Sequence, residues 1–261
     1  MQALRTAATG MAAQNLNVEV ISNNIANMTT TGFKRSRPEF QDLLYQSLRR
    51  AGAESSSDGT VVPSGVQVGL GVKTAAVYRV SDQGDFVNTE NALDLAIQGE
   101  GYFAIQLPSG QTAYTRSGNL QLSPQGQIVT ADGYAVSPGI TVPPDAVEIA
   151  INAEGGITAK IANQSQLSNL GQLDLATFIN QAGLESIGSN LLIETDASGP
   201  PITGTPGSDG LGTVLQGYLE GSNVNPVQEI TALISAQRAY DMNSKVITAS
   251  DDMMATVTQM R

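Results

Sequence analysis

A chain of 261 residues is long enough for one or two domains with a buried core. It contains no cysteine, histidine or tryptophan, so it builds no Ser-His-Asp or Cys-His nucleophile, no disulfide, and no thiolate or imidazole metal site. The formal net charge of −11 is uneven: residues 1–50 hold six basic and three acidic side chains, residues 51–261 seven and 21. A body that acidic repels phosphate backbones, which excludes nucleic acid as a partner.

In chain order, the first element is a helix over residues 1–28. Leu4, Met11, Val18 and Ile25 recur every seven residues, and Ala7, Gln14, Ile21 and Met28 follow three positions later, a heptad seam with one polar break. The segment after Arg5, TAATGMAAQNLNV, is too polar for the apolar region of a signal peptide. Nowhere is there a run of about 18 apolar residues, the length of a membrane-spanning helix.

Residues 29–70 form a bridging segment. Lys34-Arg35-Ser36-Arg37 reads as a solvated loop, because four residues make a poor basic patch. Gly52 to Gly59, GAESSSDG, reads as an exposed tip. The stretch from Gln46 to Pro63 also carries Arg49 and Arg50 in a chain poor in basic residues, which makes both natural partners for carboxylates on a neighbouring molecule.

Residues 71–222 read as an antiparallel β-rich domain, with short strands at Leu93–Ile97 and Tyr102–Gln106 and turn signals at close intervals. The alternating Val147, Ile149 and Ile151, and Leu173, Leu175 and Thr177, continue the pattern, and Ser198–Gly212, rich in Gly and Pro, reads as an irregular loop. Gly99-Glu100-Gly101-Tyr102-Phe103-Ala104 has the spacing of a dinucleotide fingerprint, but it opens a strand where the fingerprint must open a helix. The acids fall in turns or on a helix face, and no calcium-loop spacing exists. No catalytic, cofactor or metal residue is therefore assigned.

Residues 223–261 read as a second long helix. Asn225 is its cap and Pro226 suits the first helical position. Leu233, Tyr240, Ile247 and Met254 repeat every seven residues, with Ala236, Asn243, Ser250 and Val257 as the companion row. Paired with residues 1–28, this gives an α+β fold: a coiled-coil-like layer of terminal helices beside a central β-rich domain. A narrow apolar seam cannot bury itself, so the eight seam residues from Leu4 to Met254 are the expected assembly interface.

Three sets of motifs resemble the flagellar rod and hook proteins. They are Asn23-Asn24-Ile25-Ala26-Asn27 with Thr31-Gly32-Phe33-Lys34-Arg35; Leu93 to Phe103 with Tyr114-Thr115-Arg116-Ser117-Gly118; and Ser222-Asn223-Val224-Asn225 with Gln237-Arg238-Ala239-Tyr240. The resemblance spans the chain and is nearest the distal-rod branch, because of Asp42-Leu43-Leu44-Tyr45-Gln46 and Gly183-Leu184-Glu185-Ser186-Ile187-Gly188. It implies a non-enzymatic, cofactor-free subunit of a hollow helical polymer that carries motor torque across the periplasm. Its implied partners are its own copies, proximal-rod and hook proteins along the axis, the peptidoglycan-ring and outer-membrane-ring proteins around it, and the flagellar type III export apparatus, which delivers subunits without a cleaved signal peptide. It also implies that Arg49, Arg50, Gly52, Gly59 and Pro63 belong to a rod-stiffening segment. A proximal-rod or hook-type protein is the alternative within the family. A carboxylate-based peptidoglycan hydrolase is the alternative outside it, and leaves the heptad ends unexplained.

Overall fold

The computed structural model describes residues 2–50, 52, 64–162, 166–208 and 210–259, without the side chain of Val257. The chain forms two compact units. One comprises Met1–Ile25, Ser36–Tyr78 and Asn225–Arg261, and the other Ala26–Arg35 and Arg79–Val224.

Among its described residues the first unit holds two long helices and four strands. Helix α1 (Gln2–Ala26) buries a row of small and apolar side chains, Ala7, Ala13, Val20 and Ile21, together with Asn24. Strands β1 (Ser36–Asp42), β2 (Tyr45–Arg49), β3 (Val66–Gly69) and β4 (Val72–Arg79) follow. They pair as β1 with β4 and β2 with β3. About half of the described residues of the bridging segment are thus strand. Gly71 sits at φ +121 against α1, where a side chain would collide with Thr9 Oγ1, and the Val72 amide donates to that same hydroxyl at 3.3 Å.

Helix α2 (Pro226–Gln259) starts where the capping chemistry directs: Asn225 Oδ1 accepts from the amides of Val227 and Gln228 at 3.1 and 3.2 Å. It runs antiparallel to α1. Asn24 bonds Glu229 near one end of the pair, and Gly10 lies against Asn243 further along.

The second unit is β-rich, with one short 3-10 helix, Gln181–Gly183, among its described residues. It carries β5 (Phe86–Asn88), β6 (Leu95–Gln98), β7 (Tyr102–Gln106), β8 (Thr112–Thr115), β9 (Gln121–Leu122), β10 (Ile128–Val129) and β11 (Ala135–Val136). Then come β12 (Ala146–Ile151), β13 (Gly156–Ile161), β14 (Leu167–Gln172), β15 (Leu175–Thr177), β16 (Glu185–Gly188), β17 (Leu191–Ile193), β18 (Ile202–Gly204), β19 (Thr213–Gln216) and β20 (Tyr218–Glu220). Every pair whose register is resolved is antiparallel, in keeping with the α+β class. Strand β7 is the hub of a nine-stranded sheet, with β8 along one edge and β11 and β15 sharing the other.

The pleat of β7 divides the core in two. Phe103 and Ile105 enter the main cluster with Leu95, Ile97, Ile157, Leu173 and Val214. Tyr102 enters the opposite cluster with Tyr114, Phe178 and Leu184. There Tyr114 meets Phe178 edge-on, with ring centroids 4.8 Å apart. Gly99 and Gly101, with φ of +106 and +142, make the turn into β7 and open no helix. The stretch Ser198–Gly212 departs from a wholly irregular loop: β18 lies within it and pairs with β15. Three extended residues suffice there, because a strand at a sheet edge needs hydrogen bonds on one side only.

Candidate functional site

Two surfaces of the first unit and one buried cluster of the second concentrate the residues singled out from the sequence. The helix pair comes first. Leu4, Met11, Val18 and Ile25 are half-buried along α1, and Leu233 and Ile247 are half-buried along α2. Tyr240 stands beside Val18 in a groove of about 400 Å³ that Asn15, Gln237 and Asp241 complete. Met254 is 46% exposed, because α2 has 34 residues and α1 only 25, so its end outruns its antiparallel partner.

The tightest contact falls on the companion row. Ala236 and Ser250 are buried, and a Cβ on Gly10 would lie 3.0 Å from Asn243 Nδ2. Small residues let the helices approach there, and they leave larger apolar groups elsewhere uncovered. Ile230, Ile234, Met242, Val246 and Met253 are all exposed on α2. A buried polar group closes the pair at one end: Asn24 donates to Glu229 Oε2 at 3.1 Å and to the Ser36 carbonyl at 2.9 Å, and accepts from the Ser36 amide at 2.8 Å.

The second surface is the β2–β3 ribbon. All five residues of β2 are exposed, including Arg49, and Leu44 and Leu48 are 82% and 62% exposed. Arg50 is exposed as well, and Gly52 takes a left-handed turn at φ +82 with open space around it. Gly59 and Pro63 lie outside the described residues.

The third site was not legible as one. Glu220, at the end of β20, is fully buried. Its Oε1 accepts from Lys34 Nζ at 2.5 Å and from the Gly84 amide at 3.1 Å, and its Oε2 accepts from Arg116 Nε at 2.5 Å. Arg116 spends its other donors on the carbonyls of Gly101, Ile97 and Gly99, at 2.7, 3.1 and 2.5 Å. Lys34 also donates to the Asp82 carbonyl at 2.7 Å. Burial pushes the Lys34 ammonium below its usual value, against the opposing pull of its bond to Glu220. Both cations come from motifs that carried the resemblance, one from Thr31-Gly32-Phe33-Lys34-Arg35 and the other from Tyr114-Thr115-Arg116-Ser117-Gly118. Glu220 had no mark in the sequence beyond its place just before Ser222-Asn223. The Glu220 carboxylate is itself fully buried and spent on three donors.

A long helix with uncovered apolar side chains, an exposed ribbon and a buried charge cluster spent on holding the chain together fit an assembly subunit. Comparison with known proteins agrees. Residues 4–34 match the flagella basal body rod protein model, residues 96–159 the D1 domain model of flagellar hook protein FlgE/F/G, and residues 215–260 the C-terminal model of flagellar basal body rod FlgEFG protein. The chain is 60% identical to the flagellar basal-body rod protein FlgG of Caulobacter vibrioides, with both chains covered in full. It is 51% identical to that of Agrobacterium fabrum, over 99% of each chain, and 36% identical to that of Bacillus subtilis, over 100% of this chain and 99% of the other. The chain belongs to the flagellar basal-body rod protein family, FlgG type. It is a structural protein of the basal body and not an enzyme.

Proposed function

We propose that the chain builds the distal part of the flagellar rod, polymerising helically into a hollow shaft that passes torque from the motor to the hook. The observation that carries this reading is the set of large apolar side chains that α2 leaves exposed, Ile230, Ile234, Met242, Val246 and Met253, which one chain leaves uncovered and a ring of neighbouring helices would bury. In this reading residues 1–28 and 223–261 form a coiled-coil-like inner layer, residues 71–222 the outer one, and residues 29–70 bridge them. The eight seam residues, Leu4, Met11, Val18, Ile25, Leu233, Tyr240, Ile247 and Met254, serve the packing of helices in that layer. Arg49, Arg50, Gly52, Gly59 and Pro63 belong to the element that stiffens the shaft.

The axial partners are further copies, then proximal-rod proteins on one side and hook protein on the other. The peptidoglycan and outer-membrane rings surround it in the periplasm, and the flagellar export apparatus delivers it. Electron micrographs of basal bodies from a strain lacking the gene test the reading. Inner rings and proximal rod should remain, with no hook. Distal rods and hooks of normal form in that strain would refute it.

A further inference from the structure

The chain passes between its two units at four points, and residues next to three of them, Arg35, Val80 and Asn223, are tied to one another inside the second unit. The Arg35 amide donates to Asn223 Oδ1 at 2.7 Å, and Asn223 Nδ2 donates to the carbonyls of Val80 and Asp82, both at 2.9 Å. The Val80 amide returns a bond to the Arg35 carbonyl at 2.9 Å. Residues 218–223 lie at the centre of this network. Strand β20 pairs with β5, and the Glu220 carbonyl accepts from the Gly32 amide at 2.8 Å. The Glu220 carboxylate holds Lys34, Arg116 and the Gly84 amide.

We infer that residues 218–223 are a C-terminal clasp that fastens residues 30–35 to the second unit, alongside residues 80–88, which Gln83 also holds through its bonds with the Ile97 carbonyl and the Gly99 amide. Without it residues 30–35 keep the bonds of Lys34 to the Asp82 carbonyl and of the Val80 amide to the Arg35 carbonyl, which reach only the neighbouring residues 80–82, and two direct ties to the sheet side. Asn190 donates to the Thr31 carbonyl at 3.1 Å, and Gly32 packs on the Ser117 backbone. Lys34 and Arg116 would also stand as two like charges with no carboxylate between them. The main sheet around β7 draws none of its own pairings from residues 218–223. The segment that follows α1 is therefore held by residues synthesised some 186 positions later, and a chain cut short before Tyr218 would carry a folded sheet with that segment loose. The inference concerns the single chain and does not depend on what the chain assembles into.

Amide hydrogen exchange on the full chain tests it, comparing the wild type with Glu220→Gln and Lys34→Met. Exchange at Gly32 and Arg35 should rise about tenfold or more in Glu220→Gln, while the amides of β7 and β8 keep wild-type protection. Lys34→Met leaves the Glu220–Arg116 pair intact, and should loosen the same two amides even if Glu220→Gln does not fold. Unchanged protection of Gly32 and Arg35 in a folded Glu220→Gln chain overturns the clasp. So does loss of protection in β7 and β8 together with them in Lys34→Met, since that would make the cluster part of the general core.

Discussion

Gly32 occupies a position whose backbone geometry admits no side chain. Its φ is +69, and a Cβ there would lie 2.7 Å from the Ser117 amide nitrogen, so a side chain meets both left-handed strain and a backbone collision. Gly32→Ala should destabilise the second unit by about 1–3 kcal/mol or more, read as a lower urea midpoint. Tyr102 supplies a pH dependence. Its buried phenol is pushed above 10.0 by loss of solvent, so the neutral form is favoured in the folded chain. The resulting stabilisation is complete below pH 10 and is lost as pH rises through the folded value. Tyr102→Phe forfeits the bond to Gln181 Oε1, a loss of about 1 kcal/mol at neutral pH. Denaturant titrations at pH 8 and pH 11 should find that the deficit of the variant shrinks or reverses at the higher pH. Lys34 acts in the opposite sense. Its ammonium is depressed below 10.5, so above its folded value the unfolded chain holds the extra proton, and stability from this group grows as pH approaches 10.5. That contribution is common to both chains and cancels in the comparison.

Two elements carry separable predictions. On α2, Ile247 is half-buried beside the row that packs on α1, so Ile247→Asp places a charge where apolar contacts are needed. The variant should be exported and soluble but build no rods, and motility with normal rods would show that this row serves no packing. The β2–β3 ribbon behaves differently, because every residue of β2 and the first two of β3 are exposed. Deleting residues 46–63 should leave the β-domain folded and give curved, flexible filaments in electron micrographs, whereas straight, stiff filaments would refute a stiffening role. These elements also mark what the sequence disclosed. Heptad spacing located both helices, and Asn225-Pro226 located the start of α2, because caps and periodicity are local signals. The same spacing could not say which row an antiparallel neighbour would take: the closest approach went to Gly10, Ala236 and Asn243, chosen by size. Strands β1 to β4 escaped notice because none of their residues is fully buried and β2 and most of β4 are exposed, so no clean apolar alternation marked them. Glu220 escaped for a different reason. Its partners Lys34 and Arg116 are 186 and 104 positions away, and no spacing rule spans that distance.

At the scale of the whole molecule, the two units differ in how much of themselves they bury. The second unit holds the large apolar clusters, while most of α2 and all of β2 are exposed in the first. Helices covered on one narrow row depend on tertiary contacts for their persistence. Brief proteolysis of the monomer should therefore remove residues before about Asn27 and after about Pro226 well ahead of the β-domain, and equal resistance at both ends and centre would contradict this. The fastening of Arg35, Val80 and Asn223 to one another has a mechanical consequence. Three of the four strands that connect the units meet at one knot, so a pull on any one of them is divided among all three before it reaches the sheet. Bonds loaded in parallel give way together, and only at a force near the sum of what each withstands. A shaft subunit wired in this way would yield abruptly, without gradual stretching, under a twist that would peel a single connecting strand away bond by bond.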